Sequence, residues 1–246
     1  MYRVWYFLAL LLCLPLSVLA SLPDTIAKVK PSVVAIGIHN PLGAPRIRLI
    51  GTGFAVADGS KVATNYHVIA PRLNNDKNEQ YVVLSGSADQ VKVHPIISSR
   101  HEAAYDLAVL TIKERLPALT LGSGELQAEG TAIAFTGFPI TAVLGLYPAT
   151  HRGIISALTP IAIPADNSGQ LQAAALRRLQ QPYLVYQLDA TAYPGNSGSP
   201  LYNAQTGDVI GIINKVYVKS TREAVLSDPS AISYAIPVRF LLPLLQ

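Results

Sequence analysis

Cysteine is almost missing from this chain. Its 246 residues include one, Cys13, inside an apolar leader. A chain cleaved beyond that leader has no thiol, so disulfides and thiolate metal sites are excluded. Such a protein must be held together by its core. Charge is sparse as well: 14% of residues are charged, the formal net charge is +4, and no basic run exceeds Arg177-Arg178. That composition gives little support to nucleic acid or an anionic membrane as a partner. Heptads, long helices and internal repeats are absent. The histidines His39, His67, His94, His101 and His151 show no i,i+4 pairing and no H-E-x-x-H arrangement. No metal or other cofactor is expected.

What is present begins with the leader. Arg3 supplies a positive start, Trp5 to Leu19 is almost wholly apolar, and Val18-Leu19-Ala20 offers small residues at a cleavage site. These features predict a secretory signal over residues 1–20, cleaved after Ala20. An uncleaved anchor is the alternative, but the run is shorter than the ~20 residues of a usual spanning helix. No stable membrane insertion is expected after cleavage. A lipoprotein reading of Cys13 fails, because Leu10-Leu11-Leu12 puts no small residue just before it.

Half of the residues are hydrophobic, enough to bury a full core in one or two domains. Short strand patterns follow one another. They cover Ser32 to Ile38, Arg46 to Ile50, Gly53 to Ala57, Lys61 to Thr64, Tyr81 to Leu84, Val91 to Ile97 and Leu107 to Ile112. They continue through Thr131 to Phe135, Thr150 to Leu158, Tyr183 to Leu188, Val209 to Val218 and Ala231 to Ile236. With turn signals between them, these argue for an all-β barrel or sandwich. Two segments depart from this rhythm. Leu171, Ala175 and Leu179 predict a surface helix over 168–181, ending before Pro182. The apolar tail Val238 to Leu245, interrupted by Pro243, is expected to dock on the barrel.

Three separate residues suggest chemistry. Ser197 lies in Tyr193-Pro194-Gly195-Asn196-Ser197-Gly198-Ser199-Pro200, where glycines permit backbone angles that aim consecutive N–H groups at one point. The amides of Gly195 and Ser197 could hold the oxyanion of an acyl-transfer intermediate. A simple hairpin turn would use the same residue types. His67 follows a strand, and a histidine there can equally be structural. Asp106 opens the apolar run Leu107 to Leu110, and a carboxylate there is costly to bury without a partner. Asp58, Asp76 and Asp89 sit in polar, turn-like surroundings and are poorer candidates. A serine hydroxyl is a weak nucleophile until an imidazole takes its proton. The imidazole in turn needs a carboxylate to fix its tautomer.

The order His67, Asp106, Ser197 resembles that of trypsin-like serine proteases, and within them the HtrA/Deg family. The resemblance rests on Pro31-Ser32-Val33-Val34, Gly51-Thr52-Gly53-Phe54, Thr64-Asn65-Tyr66-His67-Val68 and Tyr105-Asp106-Leu107-Ala108-Val109. It continues in Gly153-Ile154-Ile155-Ser156, Asp189 to Pro200, and Ile232-Ser233-Tyr234-Ala235-Ile236-Pro237. It implies two six-stranded antiparallel β-barrels with short helices, approximately 21–120 and 121–246, and an active site in the cleft between them. His67 would be general base and acid, Asp106 its orienter and Ser197 the nucleophile. Gly195 and Ser197 would form the oxyanion hole.

The resemblance also implies a pocket for the residue before the scissile bond, lined by Thr191, Asn214, Lys215, Val216 and Ile232. With no carboxylate at its base, it should favour small aliphatic side chains over arginine. Unfolded polypeptides would be the substrates, and the compartment periplasmic or extracellular. A non-catalytic binding or chaperone-like protein on the same fold is the alternative, and oligomeric state stays open. Two features depart from the family pattern. The PDZ domain that usually follows has no room before Gln246, and Ser199 replaces the second glycine after the nucleophile. Asn196 stands where digestive enzymes carry an aspartate that pairs with a newly cut N-terminus. Activation of that kind is therefore not expected.

Overall fold

The computed structural model describes residues 21–87, 90–139, 146–161, 182–214 and 233–246. The leader 1–20, the helix expected over 168–181, and Lys215, Val216 and Ile232 lie outside the described residues.

Six strands close the first barrel. They are β1 (Val33–His39), β2 (Ile47–Val56), β3 (Lys61–Asn65), β4 (Gln80–Ser85), β5 (Lys92–Glu102) and β6 (Leu107–Ile112), in the order β1-β2-β3-β6-β5-β4. The second barrel closes in the order β10-β11-β12-β9-β8-β7. Its strands are β7 (Ala132–Gly137), β8 (Ala149–Pro160), β9 (Leu184–Asp189), β10 (Pro200–Asn203), β11 (Val209–Ile213) and β12 (Ser233–Pro237). Every strand pair is antiparallel. The expected all-β architecture of two six-stranded barrels is what the chain forms.

The apolar runs explain why the strands sit where they do. Val33 to Ile38 and Leu107 to Leu110 are buried throughout, since one face fills a barrel and the other packs outward against the rest of the chain. Val34, Ile36, Val62, Val83, Leu110 and Ile112 cluster within the first barrel. Ile133, Phe135, Ile155, Tyr186 and Leu201 cluster within the second. A third cluster, including Phe54, Leu107, Phe138 and Tyr202, joins the two. Burying each large aliphatic side chain contributes about 1.5–3 kcal/mol, so the core alone can hold a thiol-free chain.

The strand reading needs two corrections. Arg46 to Ile50 and Gly53 to Ala57 are not separate strands. β2 runs unbroken through Gly51-Thr52-Gly53, with Gly51 paired to Ile36 and Gly53 to Val34. The glycines serve close approach there: a Cβ at Gly53 would lie 2.9 Å from Ala63 O and 2.9 Å from the Val62 side chain. Pro200 to Asn203 was not among the expected strands, yet it forms β10. Its proline occupies the first strand position, where a missing N–H is tolerated. The expected strand Val209 to Val218 is described only as far as Asn214, with β11 over Val209–Ile213; Lys215 to Val218 lie outside the described residues.

The two ends of the chain cross between barrels. The first helix, α1 (Leu22–Val29), reaches the second barrel, where Thr25 Oγ1 donates to Gln205 O at 3.3 Å. Conversely, the tail after β12 returns to the first barrel. The Phe240 ring stacks on Tyr105 at 4.3 Å and lies 4.8 Å from Tyr183. Leu241 is fully buried, and the Arg100 guanidinium donates to Gln246 O. The tail docks on the barrels, and each terminus braces the barrel it does not belong to. No helix among the described residues is long and apolar enough to cross a membrane.

Candidate active site

His67 lies in the single-turn helix α2 (Tyr66–Ile69), directly after β3. Asp106 lies directly before β6. β3 and β6 are antiparallel neighbours with Asn65 opposite Leu107, so the end of one and the start of the other meet. Residues 39 apart in sequence thereby become adjacent. Tyr66 N donates to Asp106 O at 3.0 Å, and Asn65 Nδ2 donates to the same oxygen at 3.2 Å. Asp106 takes φ +54°, an uncommon value for a non-glycine residue. The Tyr66 peptide N–H and the Asn65 side-chain amide hold it there.

The carboxylate accepts twice from one residue. Asp106 Oδ1 takes the His67 backbone N–H at 2.8 Å, and Oδ2 lies 2.6 Å from His67 Nδ1. The Asp106 side chain is 9% exposed and that of His67 28%. An ionised carboxylate only accepts, so Nδ1 carries the proton, which in the neutral imidazole leaves Nε2 as the acceptor. Burying the carboxylate is offset by these two short bonds. Removing the imidazole would leave a nearly buried charge with one partner fewer.

The loop carrying Ser197 is fastened to the first barrel through Thr52. Thr52 N donates to Ser197 O at 2.9 Å, and Thr52 Oγ1 donates to Gly195 O at 2.7 Å. The same hydroxyl accepts from Phe138 N at 3.0 Å. Thr52 O accepts from Thr64 Oγ1 at 2.7 Å. Gly51 marks where the two halves of the site meet: a Cβ there would lie 2.8 Å from the Val68 side chain and 3.3 Å from Ser197 O. The residue after His67 and the backbone of Ser197 therefore meet at one glycine.

Glycine is required in the loop for two distinct reasons. Gly195 and Gly198 take φ +100° and +87°, values that strain other residues. A Cβ at Gly198 would also fall 2.1 Å from Thr52 O. The loop's other bonds are internal or to β11: Asn196 N to Tyr193 O, Ser199 N to Asn196 O, and Gly198 N to Ile213 O. The amides of Gly195 and Ser197 are not used in hydrogen bonds among the described residues. They remain able to donate to an oxyanion. Asn196 and Ser199 are fully buried, and their side-chain polar atoms have no partner among the described residues. Both lie beside Gly137, whose α-hydrogen is all that fits against Ser199 Oγ.

Of the expected pocket residues, Thr191 and Asn214 are described. Ala192 N, next to Thr191, donates to Ser233 Oγ at 2.9 Å, and Asn214 N donates to Tyr234 O at 2.9 Å. Consecutive residues of β12 thus draw the two segments toward each other. Asp58 is exposed in a turn, bonded to Ser60, and Asp76 lies in an exposed 3-10 turn; Asp89 lies outside the described residues. No group of three His, Cys, Asp or Glu among the described residues could hold a metal. Sequence reasoning assigned no role to Thr52 or Gly137. The available signal was a threonine between two glycines inside a buried strand.

The comparisons with known proteins agree with one another. A family model described as a trypsin-like peptidase domain matches residues 51–212. A probable periplasmic serine endoprotease DegP-like of Halomonas elongata is 29% identical over 78% of this chain and 33% of its own length. The mitochondrial serine protease HTRA2 of Bos taurus is 31% identical over 87% of this chain and 40% of its own. The chain thus spans well under half the length of these curated relatives. The crystal structure of the serine endoprotease from Yersinia pestis matches with a TM-score of 0.61 and 24% identity. That match covers 91% of this chain and 65% of that one, and at that identity it speaks to the fold.

Proposed function

Since the chain belongs to the trypsin-like peptidase family, we propose that it is a serine endopeptidase using Ser197, His67 and Asp106. The observation that carries this reading is the buried Asp106–His67 pair beside a Ser197 loop fastened to the same barrel by Thr52. Asp106 holds the proton on Nδ1, and Nε2 takes the proton of Ser197 Oγ. That oxygen attacks the peptide carbonyl, and the Gly195 and Ser197 amides receive the oxyanion. The imidazolium then gives its proton to the leaving amine. Water, activated by the same Nε2, hydrolyses the acyl-enzyme.

The finer parts of the reading are proposals of the same kind. Thr191, Asn214, Lys215, Val216 and Ile232 line a shallow apolar pocket that favours valine or alanine before the scissile bond. A methylene is worth only ~1–3 kcal/mol in such a pocket, so the preference is loose. The substrates are unfolded polypeptides met after export to the periplasm or beyond. The buried Asn196 needs no ion pair with a new N-terminus.

Digestion of casein by protein starting at Ser21, beside its Ser197→Ala variant, tests the central claim. The parent should cut and the variant should not; equal digestion by both would refute the assignment. Mapping the cuts tests the pocket, and cuts mainly after lysine or arginine would refute it. Equal activity of protein starting at Ser21 and of a form extended at its N-terminus is the outcome expected from Asn196.

A further inference from the structure

A second serine–imidazole–carboxylate line runs through the far end of the first barrel. Ser85 closes β4, His94 lies on β5, and Glu114 follows β6 by two residues. Ser85 pairs with Lys92 and Val83 with His94, so Ser85 and His94 are diagonal neighbours on one face of the sheet. Both are buried, at 9% and 4% exposure. His94 Nε2 lies 2.7 Å from Ser85 Oγ, and His94 Nδ1 lies 3.1 Å from Glu114 Oε2.

The wiring determines the proton's place. Glu114 is held below its ordinary carboxylate range, chiefly by the hydrogen bond from His94. Ionised, it only accepts, so His94 Nδ1 carries the proton. In the neutral imidazole Nε2 is then the acceptor and Ser85 Oγ–H the donor. This is the polarity a serine needs to become a nucleophile. It stands at the opposite end of β6 from Asp106, roughly 25 Å away at the rise of an extended strand.

We propose that Ser85 is a second acyl-accepting serine, activated by His94 and Glu114, that takes acyl groups from small activated esters. Ser85 Oγ attacks the ester carbonyl carbon while its proton passes to His94 Nε2. The bond from carbonyl carbon to the leaving oxygen then breaks, and the imidazolium returns the proton to that oxygen. An O-acyl serine and a free alcohol or phenol are the products. Burial of Ser85 and His94 restricts the donor to small groups and excludes polypeptides. The inference does not depend on Ser197.

The Ser197→Ala protein, treated with p-nitrophenyl acetate and followed by intact mass and peptide mapping, tests it. One acetyl group should appear on Ser85, with one equivalent of nitrophenol released. His94→Gln should slow it by on the order of 10²-fold or more, the usual worth of a positioned base. Glu114→Gln should slow it by about tenfold or more on the same scale. If His94→Gln does not fold, Glu114→Gln decides, because that side chain is half exposed. A plug that only holds the barrel end would gain no acetyl group. An unmodified Ser85, or acetylation at equal rates in parent and Glu114→Gln proteins, would overturn the proposal.

Discussion

The first barrel holds two carboxylate–imidazole pairs, one at each end of β6, with burial reversed. At the start of the strand the carboxylate of Asp106 is hidden and the His67 ring is partly open, at 9% and 28% exposure. Past its end the His94 ring is hidden and the Glu114 carboxylate is open, at 5% and 51%. In the first pair a nearly buried acceptor, fixed by two bonds, holds a partly exposed imidazole. In the second, an exposed carboxylate holds a buried imidazole. Under the readings proposed above, the first arrangement suits a polypeptide and the second only a small reactant.

Four experiments would break or sharpen that contrast. The largest effect is expected from Asp106→Asn. It keeps the shape but offers the imidazole a donor where an acceptor is needed, and casein hydrolysis should fall by about 10³–10⁴-fold. A loss under tenfold would deny that the buried carboxylate orients the base. Thr52→Val comes next. It removes the hydroxyl bond to Gly195 O and leaves Phe138 N without its acceptor. Losing about 1–3 kcal/mol of positioning, kcat/KM should drop about 5- to 150-fold at this temperature scale. Stability measured by urea titration should fall by a comparable amount, because Phe138 N is left buried without its acceptor.

Glu114→Gln should alter casein hydrolysis less than twofold, because its pair lies at the other end of β6. Its signature is instead acid stability. Glu114 is held below its ordinary value of 4.5, chiefly by the bond from His94. Its folded value is depressed, so its contribution is present above the unfolded value and is lost as pH falls through the folded one. The difference in urea midpoint between parent and variant should therefore shrink below about pH 4. A constant difference across pH 3–7 would count against the Glu114–His94 bond.

The smallest effect concerns an imidazole with no carboxylate partner among the described residues. His151 stacks on Phe135 at 4.9 Å, near Tyr193 of the Ser197 loop at 5.7 Å. Its Nε2 is buried without a partner among the described residues, and burial pushes its pKa below the ordinary 6.5. The unfolded chain therefore takes up the proton first as pH falls. Stability is kept above about pH 6.5 and declines below it. His151→Phe should flatten that decline between pH 7 and pH 5 in urea titrations. An unchanged slope would show that the ring is not held neutral.

Some of this was legible residue by residue. Asp106 stood out because a carboxylate opening an apolar run must be paired, and the structure gives it two bonds from His67. The strands were legible because alternating and continuous apolar runs have few other ways to bury themselves. β10 was not, because its proline and turn-forming neighbours look like a loop until Leu201 pairs with Phe135 on β7. Thr52 was equally silent, since the partners of its hydroxyl lie 143 and 86 residues away. The line through Ser85, His94 and Glu114 has no sequence motif, because diagonal neighbours across strands keep no fixed spacing.

The sequence by itself determined the strand content, the glycine-bearing Ser197 loop and the carboxylate that cannot be buried alone. These follow from local chemistry: which side chains avoid water, which backbones tolerate positive φ, and which charges demand a partner. Only the tertiary structure decided which end of each barrel faces water and which imidazole is reachable. It also decided that one threonine fastens the Ser197 loop to the other barrel. Barrel closure is the physical reason, since it brings together residues from distant strands and assigns each to inside or outside.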